Sequence, residues 1–143
     1  MPQPVVALVE DLVFTAKLRL AAQATETTLH VATQAEDFLQ MIRSTAPRLV
    51  LLDLNFSRAD ALAVLAQARD LANGKQAPIV GFLSHVQTER AQQAVSAGCA
   101  AALPRSLFVQ QLPALLREGV AALRAADPPA ETLATRADAP AAP

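Results

Sequence analysis

Two hydrophobic patterns alternate along the first hundred residues. Short apolar runs occupy positions 4–9, 27–31, 49–54, 78–83 and 100–103. The third, Leu49-Val50-Leu51-Leu52, is apolar at consecutive positions, which predicts a strand buried on both faces, as in a parallel sheet. Between the runs, apolar residues recur at helical spacing. Phe14, Leu18 and Ala21 form one stripe, Ala35, Phe38, Leu39 and Ile42 a second, and Ala61, Leu65, Ala68 and Ala72 a third. Ala91, Ala94 and Val95 give a weaker stripe, and Leu112, Leu115, Leu116 and Leu123 predict a last helix.

Punctuation supports this division. Ala72-Asn73-Gly74 and Gly98 stand where helices end in a left-handed residue. Ser106 is placed to cap the last helix. Pro113 interrupts that helix, which predicts a separate turn over 106–111 and a helix proper starting near Pro113. Strands alternating with helices through short connections imply right-handed crossovers and a parallel sheet covered on both faces. From Ala125 the chain becomes rich in alanine and proline without large apolar clusters, so residues 125–143 read as a disordered tail or linker stub dispensable for folding, with a partner-docking segment as the alternative, and 1–124 as one domain.

Composition narrows the picture. Hydrophobic residues make up 52% of the chain, there is no Trp or Tyr, and Phe occurs five times, so the core is aliphatic. A formal net charge of −1 gives no reason to expect nucleic acid or an anionic membrane as partner. Cys99 is the single cysteine, which excludes an internal disulfide and suits a reducing compartment. The N-terminus lacks the features of a signal peptide, and no apolar stretch is long enough to span a bilayer, so a cytoplasmic location is expected.

In a doubly wound sheet, ligands bind beyond the carboxyl ends of the strands. Those ends read Val9-Glu10-Asp11, Leu52-Asp53-Leu54-Asn55, Leu83-Ser84-His85 and Leu103-Pro104-Arg105-Ser106. Three carboxylates and a guanidinium thus face one rim. Clustered carboxylates repel unless a cation intervenes, and Mg²⁺ suits oxygen ligands of this kind. Three solvated strand-end acids would give the same pattern.

These strand ends resemble those of CheY-like receiver domains of two-component response regulators. The resemblance rests on Glu10-Asp11, on Val50-Leu51-Leu52-Asp53-Leu54-Asn55, on Asp60, on Ala97-Gly98 and on Leu103-Pro104-Arg105, and it covers residues 4–124. It implies a flavodoxin-like five-stranded parallel sheet in the order 2-1-3-4-5. It also implies that Asp53 accepts a phosphoryl group from a histidine kinase or phosphotransfer protein. Mg²⁺ would be held by Glu10, Asp11, Asp53 and the backbone carbonyl of Asn55. Such a domain is a signalling module that acts on a downstream protein, alone or as a homodimer, and is not a turnover enzyme.

Several positions depart from the family pattern. The expected lysine is Arg105, which keeps the charge but changes its reach and geometry. The proline expected next is Ser106, and the one expected after the third strand is Ser57, with Ala61 for a glycine. The switch hydroxyl falls on Leu83, with Ser84 one residue later and able to serve only if the strand ends early. His85 follows as a candidate phosphate contact, and the aromatic switch residue is Ala102. His30 is expected to be a partly buried strand residue and Cys99 a small buried hydrophobe. Two functions therefore remain open: a phosphorylated stand-alone receiver, and a phosphorylation-independent pseudo-receiver that binds proteins. A small-molecule enzyme on the same fold is a more distant third, because fold does not fix function.

Overall fold

A computed structural model describes residues 3–73, 77–84, 88–125 and 134–135. Its elements follow in the order β1 (Val5–Leu8), α1 (Leu12–Ala24), β2 (Leu29–Ala32), α2 (Ala35–Thr45), β3 (Leu49–Asp53), α3 (Ala61–Asn73), β4 (Ile79–Leu83), α4 (Thr88–Ala97), β5 (Ala101–Pro104), α5 (Arg105–Glu118), α6 (Ala121–Ala125) and β6 (Ala134–Thr135). The sheet order is β2-β1-β3-β4-β5-β6. The first five strands are parallel, as expected, with β1 flanked by β2 and β3. β6 is an addition to the expected sheet: Ala134 and Thr135, inside the proposed tail, pair antiparallel with Ala102 and Ala101. The rest of the tail beyond Ala125, like Gly74 and His85, lies outside the described residues.

The sheet divides the core in two. Val5, Ala7, Leu49, Leu51, Val80, Phe82 and Leu103 face α1 and α5, where Phe14, Leu18, Phe108, Leu112 and Leu116 close the layer. Val6, Leu8, Val50, Leu52, Leu83 and Ala102 face α2, α3 and α4, against Phe38, Ile42, Leu65 and Val95. Burial on both faces explains the uninterrupted apolar runs of β1, β3 and β4. β2 is an edge strand, and His30 on it is exposed rather than partly buried, because at the edge the strand has a neighbour on one side only. Cys99 is fully buried.

Three expectations about the last helix fail. α5 runs unbroken from Arg105 through Pro113 to Glu118, because Leu107, Phe108, Leu112, Leu115 and Leu116 form one buried stripe that outweighs the bond proline forfeits. The helix instead ends at Gly119, whose φ is 69°, and Leu123 belongs to the separate α6. Ser106 is no cap: the helix begins at Arg105, two residues earlier than a Ser106 cap would need, and Pro104, the N-cap residue, makes no side-chain cap bond.

Candidate functional site

Strand order reverses at β1, so the crevice between the carboxyl ends of β1 and β3 is where such a sheet leaves room for a ligand. Leu8 pairs with Leu52 across that boundary, which delivers Glu10 and Asp11 beside Asp53. Leu83 pairs with Pro104 on the next two strands, so Ser84 and Arg105 leave the sheet together.

Asp53 ends β3 and is only 1% exposed. Its Oδ1 accepts the Asn55 N–H at 2.9 Å, and its Oδ2 lies 3.5 Å from Arg105 Nη2. Burial pushes its carboxyl above the usual carboxylate range; the Asn55 N–H, the Arg105 charge and the Glu10 N–H pull the other way without cancelling it.

Asp11 caps α1. Its Oδ1 accepts from Val13 N at 2.8 Å and Phe14 N at 3.4 Å, while Oδ2 meets Arg105 Nη1 at 3.3 Å. These bonds, the Val13 N–H foremost, hold its carboxyl below the usual range. Glu10 is turned toward the loop after β3. Ser57 donates its N–H to Oε1 at 2.8 Å, and its hydroxyl lies 2.8 Å from both carboxylate oxygens. The Ser57 N–H and hydroxyl, with the nearby Arg58 charge, lower the Glu10 pKa.

Arg105, the first residue of α5, thus bridges Asp11 and Asp53. Its guanidinium lies over the Phe14 ring at 4.9 Å, with Phe82 at 5.9 Å. Phe14 stacks on Phe82 and Phe108, which tilt against each other, with centroids 4.7 to 5.8 Å apart. Arg105 Nε is buried without a hydrogen-bond partner. Beside it opens a pocket of about 570 Å³ lined by Asp11, Lys17, Ser84, Ser106 and Val109 among others.

β4 ends at Leu83, so Ser84 leaves the strand and reaches the pocket rim, as its candidate role requires. Its N–H donates to Asn55 Oδ1 at 2.6 Å. Leu83 points the other way, fully buried in the layer under α3 and α4. Asp60 caps α3 through the Leu62 and Ala63 N–H groups.

The structure therefore gathers Asp11, Asp53, Asn55, Ser84 and Arg105, and turns Glu10 aside. Sequence reasoning missed four features: the Ser57 clamp on Glu10, the phenylalanine platform, the Asn55 side-chain bond to Ser84, and Arg90 of α4, which donates to the Leu54 carbonyl at 3.0 Å. Only the platform left a trace, in that three of the five phenylalanines follow or precede rim positions.

Response-regulator proteins are among the solved structures that superpose on this architecture. A CheY-like response-regulator receiver protein from Methanospirillum hungatei JF-1 superposes with a TM-score of 0.74 at 14% identity, over 87% of this chain and 98% of that one. The fold is that of a receiver domain. A two-component response regulator from Clostridium difficile gives 0.73 at 20% identity, over 85% of this chain and 96% of its own. A response regulator from Burkholderia pseudomallei, solved with a phosphorylated aspartic acid, a calcium ion and citrate, gives 0.72 at 19%, over 86% of this chain and 71% of its own. At these identities the likeness establishes the receiver fold and no more. No protein-family model matches the sequence, and no curated protein matches it. Among the described residues, no helix is long and apolar enough to cross a membrane.

Proposed function

We propose that the chain is a phosphoryl-accepting receiver, with Asp53 as acceptor, that signals through protein contacts. The observation that carries this is Asp53 itself: a buried carboxylate at the switch point of the sheet, held by the Asn55 N–H and faced by a cationic side chain. A carboxylate oxygen of Asp53 attacks the phosphorus of a phosphohistidine donor; the new O–P bond forms as the P–N bond breaks, the electron pair returns to the ring, and the imidazole, already protonated on its other nitrogen, leaves neutral. Arg105 is in reach to bind the phosphoryl oxygens, and Ser84, at the rim, is the available hydroxyl.

The donor set fits a hard cation. Asp11 and Asp53 already converge on one positive charge, and oxygen donors of this kind suit Mg²⁺. Asp11, Asp53 and the Asn55 carbonyl would hold it, joined by Glu10 if Ser57 releases that carboxylate. When bound, the metal would offset charge on the incoming phosphoryl group. The Burkholderia neighbour, with its phosphorylated aspartic acid and calcium ion, supports the same reading.

On this reading the partners are a histidine kinase or phosphotransfer protein and a downstream protein, in the cytoplasm, with no nucleic acid or membrane, and the chain performs no turnover beyond its own phosphorylation and dephosphorylation. A second reading, a pseudo-receiver that binds proteins without phosphorylation, is favoured by one observation: Leu83 and Ala102, at the family's two switch positions, are both buried apolar side chains. Intact mass after incubation with acetyl phosphate and Mg²⁺ separates the two. Wild type should gain one phosphoryl group and Asp53→Asn none; an unchanged wild-type mass would leave the pseudo-receiver.

A further inference from the structure

Arg105 stands where a cation shared by Asp11 and Asp53 would stand. One guanidinium nitrogen meets Asp11 Oδ2 and the other meets Asp53 Oδ2, so each aspartate gives its outward oxygen to the same group. Their inward oxygens are already committed, Asp11 Oδ1 to the start of α1 and Asp53 Oδ1 to Asn55. The third acid, Glu10, has both oxygens on the Ser57 hydroxyl. The rim carboxylates are thus all partnered from within the chain.

Arg105 is also held from behind. It stacks on Phe14, which in turn stacks on Phe82. A lone ammonium has one nitrogen and could not offer two nitrogens to two carboxylates while sitting over a ring; a planar fork can. Its hold is incomplete, however. Both contacts are long for charge-assisted bonds, at 3.3 and 3.5 Å, and Nε is buried without a partner. The adjoining pocket, open beside Lys17 and Ser106, has room for the guanidinium to swing into.

We propose that Arg105 is an internal cation that a divalent metal must displace from between Asp11 and Asp53, so that this one side chain sets the affinity of the rim for metal. The proposal rests on the metal-dependent reading above, and it is tested without any phosphoryl donor, so that the two can fail separately. Mg²⁺ alone is titrated into the ¹⁵N-labelled full chain, and amide shifts near Asp11 and Asp53 report binding. Arg105→Met keeps an apolar stem over Phe14 and removes the competing charge. It should tighten Mg²⁺ binding by about tenfold, the factor corresponding to about 1.4 kcal/mol. Lys17→Met removes a positive charge from the same pocket without vacating the position between the aspartates, and should change affinity by less than about twofold, as expected for a screened surface charge. Equal gains in the two variants would reduce the effect to net charge and overturn the proposal. So would unchanged, weaker or undetectable binding by Arg105→Met.

A second readout needs no substitution at Arg105. In wild type the Phe14 ring should displace the Arg105 Nε–H resonance, which should move toward its random-coil position as Mg²⁺ saturates the rim. An Nε–H that stays fixed while the aspartate amides shift would mean that metal and guanidinium coexist, and would sink the idea. Mg²⁺ binding as described together with failed phosphorylation would instead count against the proposed function alone.

Discussion

At Asp53, burial and charge compete. Removing the carboxylate from water disfavours its ionised form, and one guanidinium at 3.5 Å does not fully compensate. Its folded-state pKa is raised, so the stability it contributes is fully present below the unfolded value and is lost as pH rises through the folded one. Asn at this position never ionises and can keep the bond from Asn55. Asp53→Asn should therefore melt a few degrees higher than wild type at neutral pH, the shift about 1 kcal/mol gives in a domain of this size. The difference should shrink toward zero in acid, where the wild-type carboxyl is protonated; a difference constant across pH would refute the argument. Glu10 and Asp11 have the opposite sign. Their lowered pKa values stabilise above the unfolded carboxylate range, and that stability disappears as pH falls through their folded values. Much of this site was legible residue by residue, because strand ends in a parallel sheet are where polar side chains must emerge. The partnerships were not. Ser57 reaches Glu10 across 47 positions of sequence, and no local pattern encodes which rim side chain will turn toward which loop.

At the scale of elements, the strands were legible because two-sided burial writes an apolar run directly into the sequence, as at Leu49-Val50-Leu51-Leu52. α5 was misdivided because a local rule for Pro113 was set against a tertiary stripe that the sequence shows only once the sheet is known. Gly98 was read correctly from its place after α4. Its φ is 129°, and a Cβ there would lie 2.3 Å from Arg69 Cδ. Gly98→Ala should cost about 2 kcal/mol or more in a denaturant titration, since both the backbone and the space are wrong; a neutral result would mean that the α4–β5 turn adjusts freely. The link between β4 and the site has its own construction. Ser84 is tied to Asn55, and α4 is tied to the loop after β3 through Arg90 and the Leu54 carbonyl, whereas Leu83 and Ala102 are locked in apolar packing. A ligand shifts an equilibrium only through contacts that differ between two states. A beryllofluoride mimic on Asp53 should therefore change amide signals around Asp53, Asn55, Ser84 and Arg105, and leave the buried stripe of α4 and most of α5 in place. Large changes through α4 and α5 would show that the Asn55 and Arg90 ties transmit what the missing hydroxyl and ring do not.

For the whole molecule, the open question is what the C-terminal tail adds to a fold already closed on both faces. Composition gave residues 125–143 no part in the fold, yet Ala134 and Thr135 lie along the edge of β5. An uncovered strand edge invites pairing with another chain, and natural sheets shorten, interrupt or cover such edges. β5 is covered here by a strand of two residues and is itself four residues long, ending in Pro104, which has no N–H to offer. Two backbone pairings contribute little net stability, about 1 kcal/mol each at most once water competes for the same groups. Among the described residues, both core layers, from Phe38 on one side to Phe108 on the other, are built from residues 5–123. A chain ending at Ala125 should thus melt within a few degrees of the full chain. It should also elute at the size of the same oligomer as the full chain, since β5 remains too short to template a lasting pair. A drop well beyond a few degrees would make the tail part of the folded unit. A concentration-dependent shift to larger species in the truncated chain alone would instead assign β6 the task of guarding the β5 edge.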